Sequence, residues 1–116
     1  MTGIVFFGSP NYESIASFYV EEVGAELWLR QSACRILSYD NLLFGFCASE
    51  EPDTNGVLTF VTEGRAGVDA FYKQFADRAT GEPKVNEDYD IYQFFADDPE
   101  GRTMEFQTFL QETEPV

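Results

Sequence analysis

The sequence predicts an α+β domain made of two tandem modules, each running strand, helix, strand, strand, strand. Three observations carry this prediction. The stretch FFGSPNYESIASFYVEE and the later TFVTEGRAGVDAFYKQF align at a constant offset of 53 residues, matching Phe7 with Phe60, Ile15 with Val68, Phe18 with Phe71 and Tyr19 with Tyr72. Ser9 and Thr62 make a similar polar pair at that offset, which is close to half of the 116 residues, so one unit is written twice. Each copy also holds a single segment with helical apolar spacing. The remaining apolar runs are strand-length pieces bounded by turn residues.

Each copy opens with a short strand, Ile4 to Phe7 and Val57 to Val61, followed by a polar turn segment, SPN or TEGRAG. Tyr12, Ile15, Phe18, Tyr19 and Val23 then define the first helix, which Gly24 ends. Val68, Phe71, Tyr72 and Phe75 stand at i, i+3, i+4, i+7 and define the second, with Gly81 just past it. In the first half, strands are expected at Ala25 to Arg30, Cys34 to Tyr39 and Leu42 to Cys47, with Asp40-Asn41 as a two-residue hairpin turn. In the second half, Tyr89 to Ala96 and Arg102 to Leu110 flank the turn DDPEGR, and a weaker strand lies near Pro83 to Asn86. The whole chain, 1–116, reads as one domain of two pseudo-repeats, about 1–52 and 53–110, with a polar tail at 111–116.

Composition excludes several functions. The chain has no histidine, so it holds no Ser-His-Asp triad, no Cys-His pair and no His-containing metal site. Twenty-one acidic against seven basic residues give a formal charge of -14, which disfavours nucleic acid and anionic membrane surfaces as partners. No apolar run approaches the ~20 residues of a membrane span. Nor does the N-terminus read as a secretion signal, so a cytoplasmic location is expected. The acidic residues are scattered and only Lys73 and Lys84 are lysine, the pattern of a protein adapted to high salt, where a Debye length of ~3 Å screens self-repulsion. Attraction of a cationic ligand is the other source of such a charge. The high-salt reading expects stability to rise with KCl concentration; equal stability in dilute buffer would remove its main support.

The duplicated unit, the helix ending in Phe-Tyr and the closing hairpin YQFFADDPEGRTMEFQTF together resemble the vicinal oxygen chelate superfamily, which includes glyoxalase I, extradiol dioxygenases and bleomycin-type resistance proteins. The resemblance spans essentially the whole chain and is most specific in the run FF-x-D-D-P-x-G-R-x-M-E-F. It implies a glyoxalase/bleomycin resistance/dioxygenase-like fold, in which the two modules form a curved mixed-sheet cup, commonly completed in a homodimer. In metal-dependent members, ligands come from the first strand of each module and from the last strands. Here the first-strand positions carry Ile4 and Val57, where the family typically has His. The last-strand acid is kept as Glu105, and its first-module counterpart lies near Phe44 or Gly45. One carboxylate lacks the ligand count and geometry to hold a divalent transition metal, so no metal or other cofactor is expected.

Strand parity then fills the cup that the resemblance implies with Ile4, Phe6, Val57, Thr59, Glu105 and Gln107, while Trp28 and Arg30 add from the second strand. Tyr89 and Tyr92 fall near its rim. This is an apolar-aromatic cavity with few polar groups, the usual make-up of a small-molecule site. Each residue has a plainer reading: Trp28 as core, and Glu105 as a relic that is solvated or paired with Arg30 or Arg102. Buried among apolar neighbours, Glu105 would have a raised pKa and become a general base or ligand anchor.

Counted outward from Asp40-Asn41, the hairpin register sets Cys34 opposite Cys47 at a non-hydrogen-bonded pair. Such a pair suits a disulfide under oxidising conditions and two reduced thiols in a cytoplasm. Three functions follow, in this order. The first is a metal-free protein, commonly a homodimer by the resemblance, that binds a small molecule in its cup. The second is an interaction module that only dimerises, and the third is a lyase, isomerase or dioxygenase-type enzyme using Glu105. The enzyme ranks last because Lewis-acid chemistry needs a coordinated metal.

Overall fold

The structure, a computed structural model, describes residues 2–116 and divides into two units, one running to Thr54 and the other from Asn55 to Val116. In the first unit β1 (Ile4–Ser9) leads into α1 (Tyr12–Phe18), followed by β2 (Glu26–Gln31), β3 (Cys34–Tyr39) and β4 (Leu42–Ala48). The strands lie in the order β1-β4-β3-β2, with β1 parallel to β4 and the other pairs antiparallel. The single helix expected to run on to Val23 changes pitch: Tyr19–Val23 forms a wider π-helical turn. Gly24, at φ +100°, ends it in the left-handed conformation that glycine adopts without a Cβ penalty. The Tyr19 ring, fully buried, packs edge-on to Phe44 and stacks on Phe46, fastening the helical segment to the sheet.

The hairpin turn falls at Asp40-Asn41, closed by the Tyr39–Leu42 pair, with Asp40 at φ +51°. Cys34 stands opposite Cys47 at a Cα–Cα distance of 4.1 Å, and the two sulfurs are joined in a disulfide. This replaces the two reduced thiols expected of a cytoplasmic protein; the close, facing pair brings the sulfurs within bonding reach.

The second unit repeats the plan with β5 (Val57–Val61), α2 (Arg65–Phe75), β6 (Lys84–Asn86), β7 (Ile91–Asp97) and β8 (Thr103–Phe109). Its strand order is β5-β8-β7-β6, again with the first strand parallel to the last. The duplication is visible in the pairing itself. Phe7 lies opposite Phe46 and stacks on it at 5.8 Å, and Phe60 lies opposite Phe106 at 5.6 Å. The apolar face of α2 delivers Phe71 and Phe75 to Phe106 at 4.5 and 5.3 Å, with Phe94 on the neighbouring strand at 5.2 Å. β7 begins two residues later than expected, because Asp90 at φ +54° turns the chain and leaves Tyr89 outside the strand, exposed.

The turn between β7 and β8 is built around Asp98. Its Oδ1 accepts the backbone N–H groups of Glu100 and Arg102 at 2.9 Å, and its Oδ2 accepts from the Arg102 guanidinium at 2.8 Å. Glu100 adds a second carboxylate to that guanidinium at 3.2 Å. The Arg102 side chain is fully buried, so its charge is met by neighbours within the turn. No helix among the described residues is long and apolar enough to cross a membrane.

Candidate functional site

In each unit the helix packs on one face of its sheet and leaves the other for a site. Strand alternation decides what that face carries. On β5 and β8, Leu58, Phe60, Met104 and Phe106 turn inward as core, so Thr59, Glu105 and Gln107 must turn the other way. The parallel register sets Thr59 opposite Glu105, and the antiparallel register of β7 sets Gln93 opposite Gln107.

These residues form one network around the Glu105 carboxylate, which is only 9% exposed. Thr59 Oγ1 donates to Oε1 at 2.7 Å, and Gln107 Nε2 donates to the same oxygen at 3.2 Å. Gln93 Nε2 donates to Oε2, while its own Oε1 accepts from Asn86 Nδ2 at 2.9 Å. The Asn86 Oδ1 accepts the backbone N–H of Asp88. Every donor in this chain therefore points toward Glu105, and the bonds polarise one another in one direction. The neighbours are hydroxyl and amide groups, in place of the apolar surroundings expected from the sequence. Among the described residues Glu105 makes no ion pair; Arg102 is engaged with Asp98 and Glu100, and Arg30 lies on another strand and another sheet. Because Gln107 must turn its NH2 toward the carboxylate, its Oε1 is directed elsewhere, and that oxygen is buried without a hydrogen-bond partner among the described residues.

The other expected site residues divide as follows. Val57 shares a strand face with Thr59 and lies at the edge of the network. Ile4 and Phe6 share the corresponding face of the first sheet, where Phe6 stands opposite Gly45. The parallel registers make Phe6 the equivalent of Thr59 and Gly45 the equivalent of Glu105. A Cβ on Gly45 would come within 2.8 Å of the Phe6 ring, so that ring fills the space an acid would need. Trp28 falls at a break in register between β2 and β3 and is 54% exposed, so it is not core. Arg30 lies opposite Arg35, whose guanidinium sits over the Tyr12 ring of α1, which puts Arg30 on the helix side of its sheet.

Tyr92 is likewise separated from Glu105. Its hydroxyl donates to Asp69 of α2 at 2.6 Å, and the Arg65 guanidinium lies 5.0 Å above its ring. The hydrogen bond to Asp69 chiefly holds its pKa above the usual tyrosine value, with desolvation and the Asp69 charge adding and Arg65 opposing. Two members of the network, Gln93 and Asn86, were absent from the expected set. A register counted outward from the Asp98–Arg102 turn would have placed Gln93 opposite Gln107; no comparable signal marked Asn86. Both border an open cleft of about 430 Å³ lined also by Lys84, Val85, Glu87 and Asp88.

The donor set does not fit a divalent metal. It offers one carboxylate whose oxygens already accept three protein hydrogen bonds, the equivalent position in the first unit is filled by an aromatic ring, and the described residues gather no group of three His, Cys, Asp or Glu side chains.

Comparison with solved structures places this architecture. The chain is similar to a glyoxalase/bleomycin resistance/dioxygenase family enzyme from Burkholderia phytofirmans, with a TM-score of 0.81, 19% identity, and 92% of this chain and 97% of that one covered. An integron cassette protein from the mobile metagenome of the Halifax Harbour sewage outfall gives 0.79 and 20% over 94% and 98%. Lactoylglutathione lyase from Agrobacterium tumefaciens gives 0.75 and 13% over 93% and 92%. The chain has the glyoxalase/bleomycin resistance/dioxygenase fold, the fold of the vicinal oxygen chelate superfamily. No protein-family model and no curated protein matches its sequence.

Proposed function

We propose that the protein binds a small organic molecule on the open face of the second sheet, around Glu105, without using a metal. The observation that carries this reading is a carboxylate buried to 9% exposure, in no ion pair among the described residues, and held by Thr59, Gln93 and Gln107. Burying a charge costs several kcal/mol, roughly, unless it is compensated, and a purely structural strand would avoid it. A polar group kept in place and left with open acceptor capacity is what a binding site requires.

A fragment library screened by two-dimensional NMR is the test. Hits are expected to shift the signals of Thr59, Gln93, Glu105 and Gln107 together, and Thr59→Val is expected to weaken them about three- to tenfold by removing one donor that fixes the carboxylate. Hits confined to other surfaces would sink the reading. A second reading, association with another copy, is favoured by Leu27, Trp28 and Leu29, exposed in a row on the edge strand β2. Sedimentation as a dimer at micromolar concentration would support it, and a monomer would exclude it.

A further inference from the structure

The unpaired acceptors on this face have a consequence for what it takes. A carboxylate offers about four acceptor sites and an amide oxygen two. Three of those on Glu105 are filled by Thr59, Gln93 and Gln107, and the Gln107 oxygen has none of its sites filled by a side chain or backbone donor. The network cannot repair this by rotating an amide: turning Gln107 over would set its oxygen against the carboxylate, and turning Gln93 over would break its bonds to both Glu105 and Asn86. Among the described residues the buried side-chain atom left unmatched on this face is an acceptor, which a partner presenting only acceptors would not satisfy. What is missing is a donor, and beside a carboxylate without a counter-ion it is a charged one.

The surroundings point the same way. Phe95 stands directly opposite Glu105 on β7, and Phe109 follows Gln107 by two residues on the same face; both rings are partly exposed. Aromatic faces beside a carboxylate attract ammonium and guanidinium groups. The charged groups bordering the network are Asp97 on the same face of β7, Glu87 and Asp88 beyond β6, and a single cation, Lys84, opposite Gln93. Lys84 makes no ion pair with Glu105.

We infer that the ligand of this face is an organic cation with two or more N–H donors, an alkylammonium, amidinium or guanidinium, held between the Glu105 carboxylate and the Gln107 carbonyl. This inference rests on the binding reading above. It differs from a general attraction to the -14 charge of the chain, because it requires two named acceptors at one point.

The test uses four probes of one shape at fixed ionic strength: benzylammonium and benzamidinium chloride against benzyl alcohol and sodium benzoate, followed by NMR of the wild-type chain. The two cations are expected to bind saturably, to move the side-chain amide signals of Gln93 and Gln107, and to bind at least about tenfold more weakly to Glu105→Gln, the size of losing a charged hydrogen bond. Gln107→Met, which keeps length and removes the carbonyl, is expected to lose affinity independently, so the inference stays testable if Glu105→Gln unfolds. Benzyl alcohol binding at these residues as well as the cations would overturn the inference and leave the binding reading standing. Cation binding unchanged in both variants would reduce it to surface charge and overturn it. If fragments of other chemistry bind this face while none of the four probes does, only the inference fails; if nothing binds, both fail.

Discussion

Arg102→Met is expected to destabilise the protein by about 3–5 kcal/mol, read as a fall in the urea midpoint with unchanged slope. The arginine side chain is fully buried, and its guanidinium is held by Asp98 at 2.8 Å and by Glu100 at 3.2 Å. Methionine has a similar length and no charge, so the substitution removes little packing and takes a buried, hydrogen-bonded guanidinium away from two nearby carboxylates. The same turn is tied by the two backbone N–H groups on Asp98 Oδ1, and it sets the register of β7 against β8. Losing it should therefore loosen the Glu105 network as well, since Gln93 and Glu105 lie on those two strands. Glu100→Gln is the milder companion, expected to cost about 1 kcal/mol because Asp98 still holds the guanidinium. A loss below about 1 kcal/mol for Arg102→Met would mean that water reaches the cluster and screens it.

Phe106→Ala is the other large effect, with an expected cost of about 3–5 kcal/mol from lost burial and the cavity left behind. Phe106 is fully buried and is packed by Phe60, Phe71, Phe75 and Phe94, so four rings lose a partner at once. Phe109→Ala, three residues later on the same strand and half exposed, is expected to cost under about 1 kcal/mol. Thermal or urea unfolding of the pair checks the contrast. Equal losses would mean that Phe109 is covered in solution by something outside the chain.

Much of this fold was legible because duplication writes each structural cue twice. The offset of 53 tied Phe7 to Phe60 and Ile15 to Val68, and all four are buried where a helix meets its sheet. The hairpin at Asp40-Asn41 and the facing cysteines follow from local turn chemistry, which needs no tertiary information. The π-helical turn at Tyr19–Val23 was not legible, since its apolar spacing also suits an ordinary helix. Of the site, Thr59, Glu105 and Gln107 came from parity along two strands. Tyr92, expected near the rim from its place on a long strand, alternates with Gln93 on β7 and so faces α2, where its hydroxyl meets Asp69. Arg30 and Trp28 suffered from the break in register on β2. Gln93 and Asn86 are polar residues whose role exists only once the Glu105 carboxylate has been placed within reach of Gln93 and Gln93 within reach of Asn86.

The ring of Phe6 over Gly45 bears on stoichiometry. Two copies of one unit would ordinarily offer two equivalent sockets, and a titration would then show two classes of event or a plateau at two. Here the first copy has closed its socket with its own side chain, and the second has kept an acid, a hydroxyl and two amides at the matching place. The duplication thus preserves the architecture in both halves, while the equivalent positions differ: an aromatic ring over a glycine in the first, an acid with its hydrogen-bond partners in the second. Saturation at this socket should come at a single equivalent per chain.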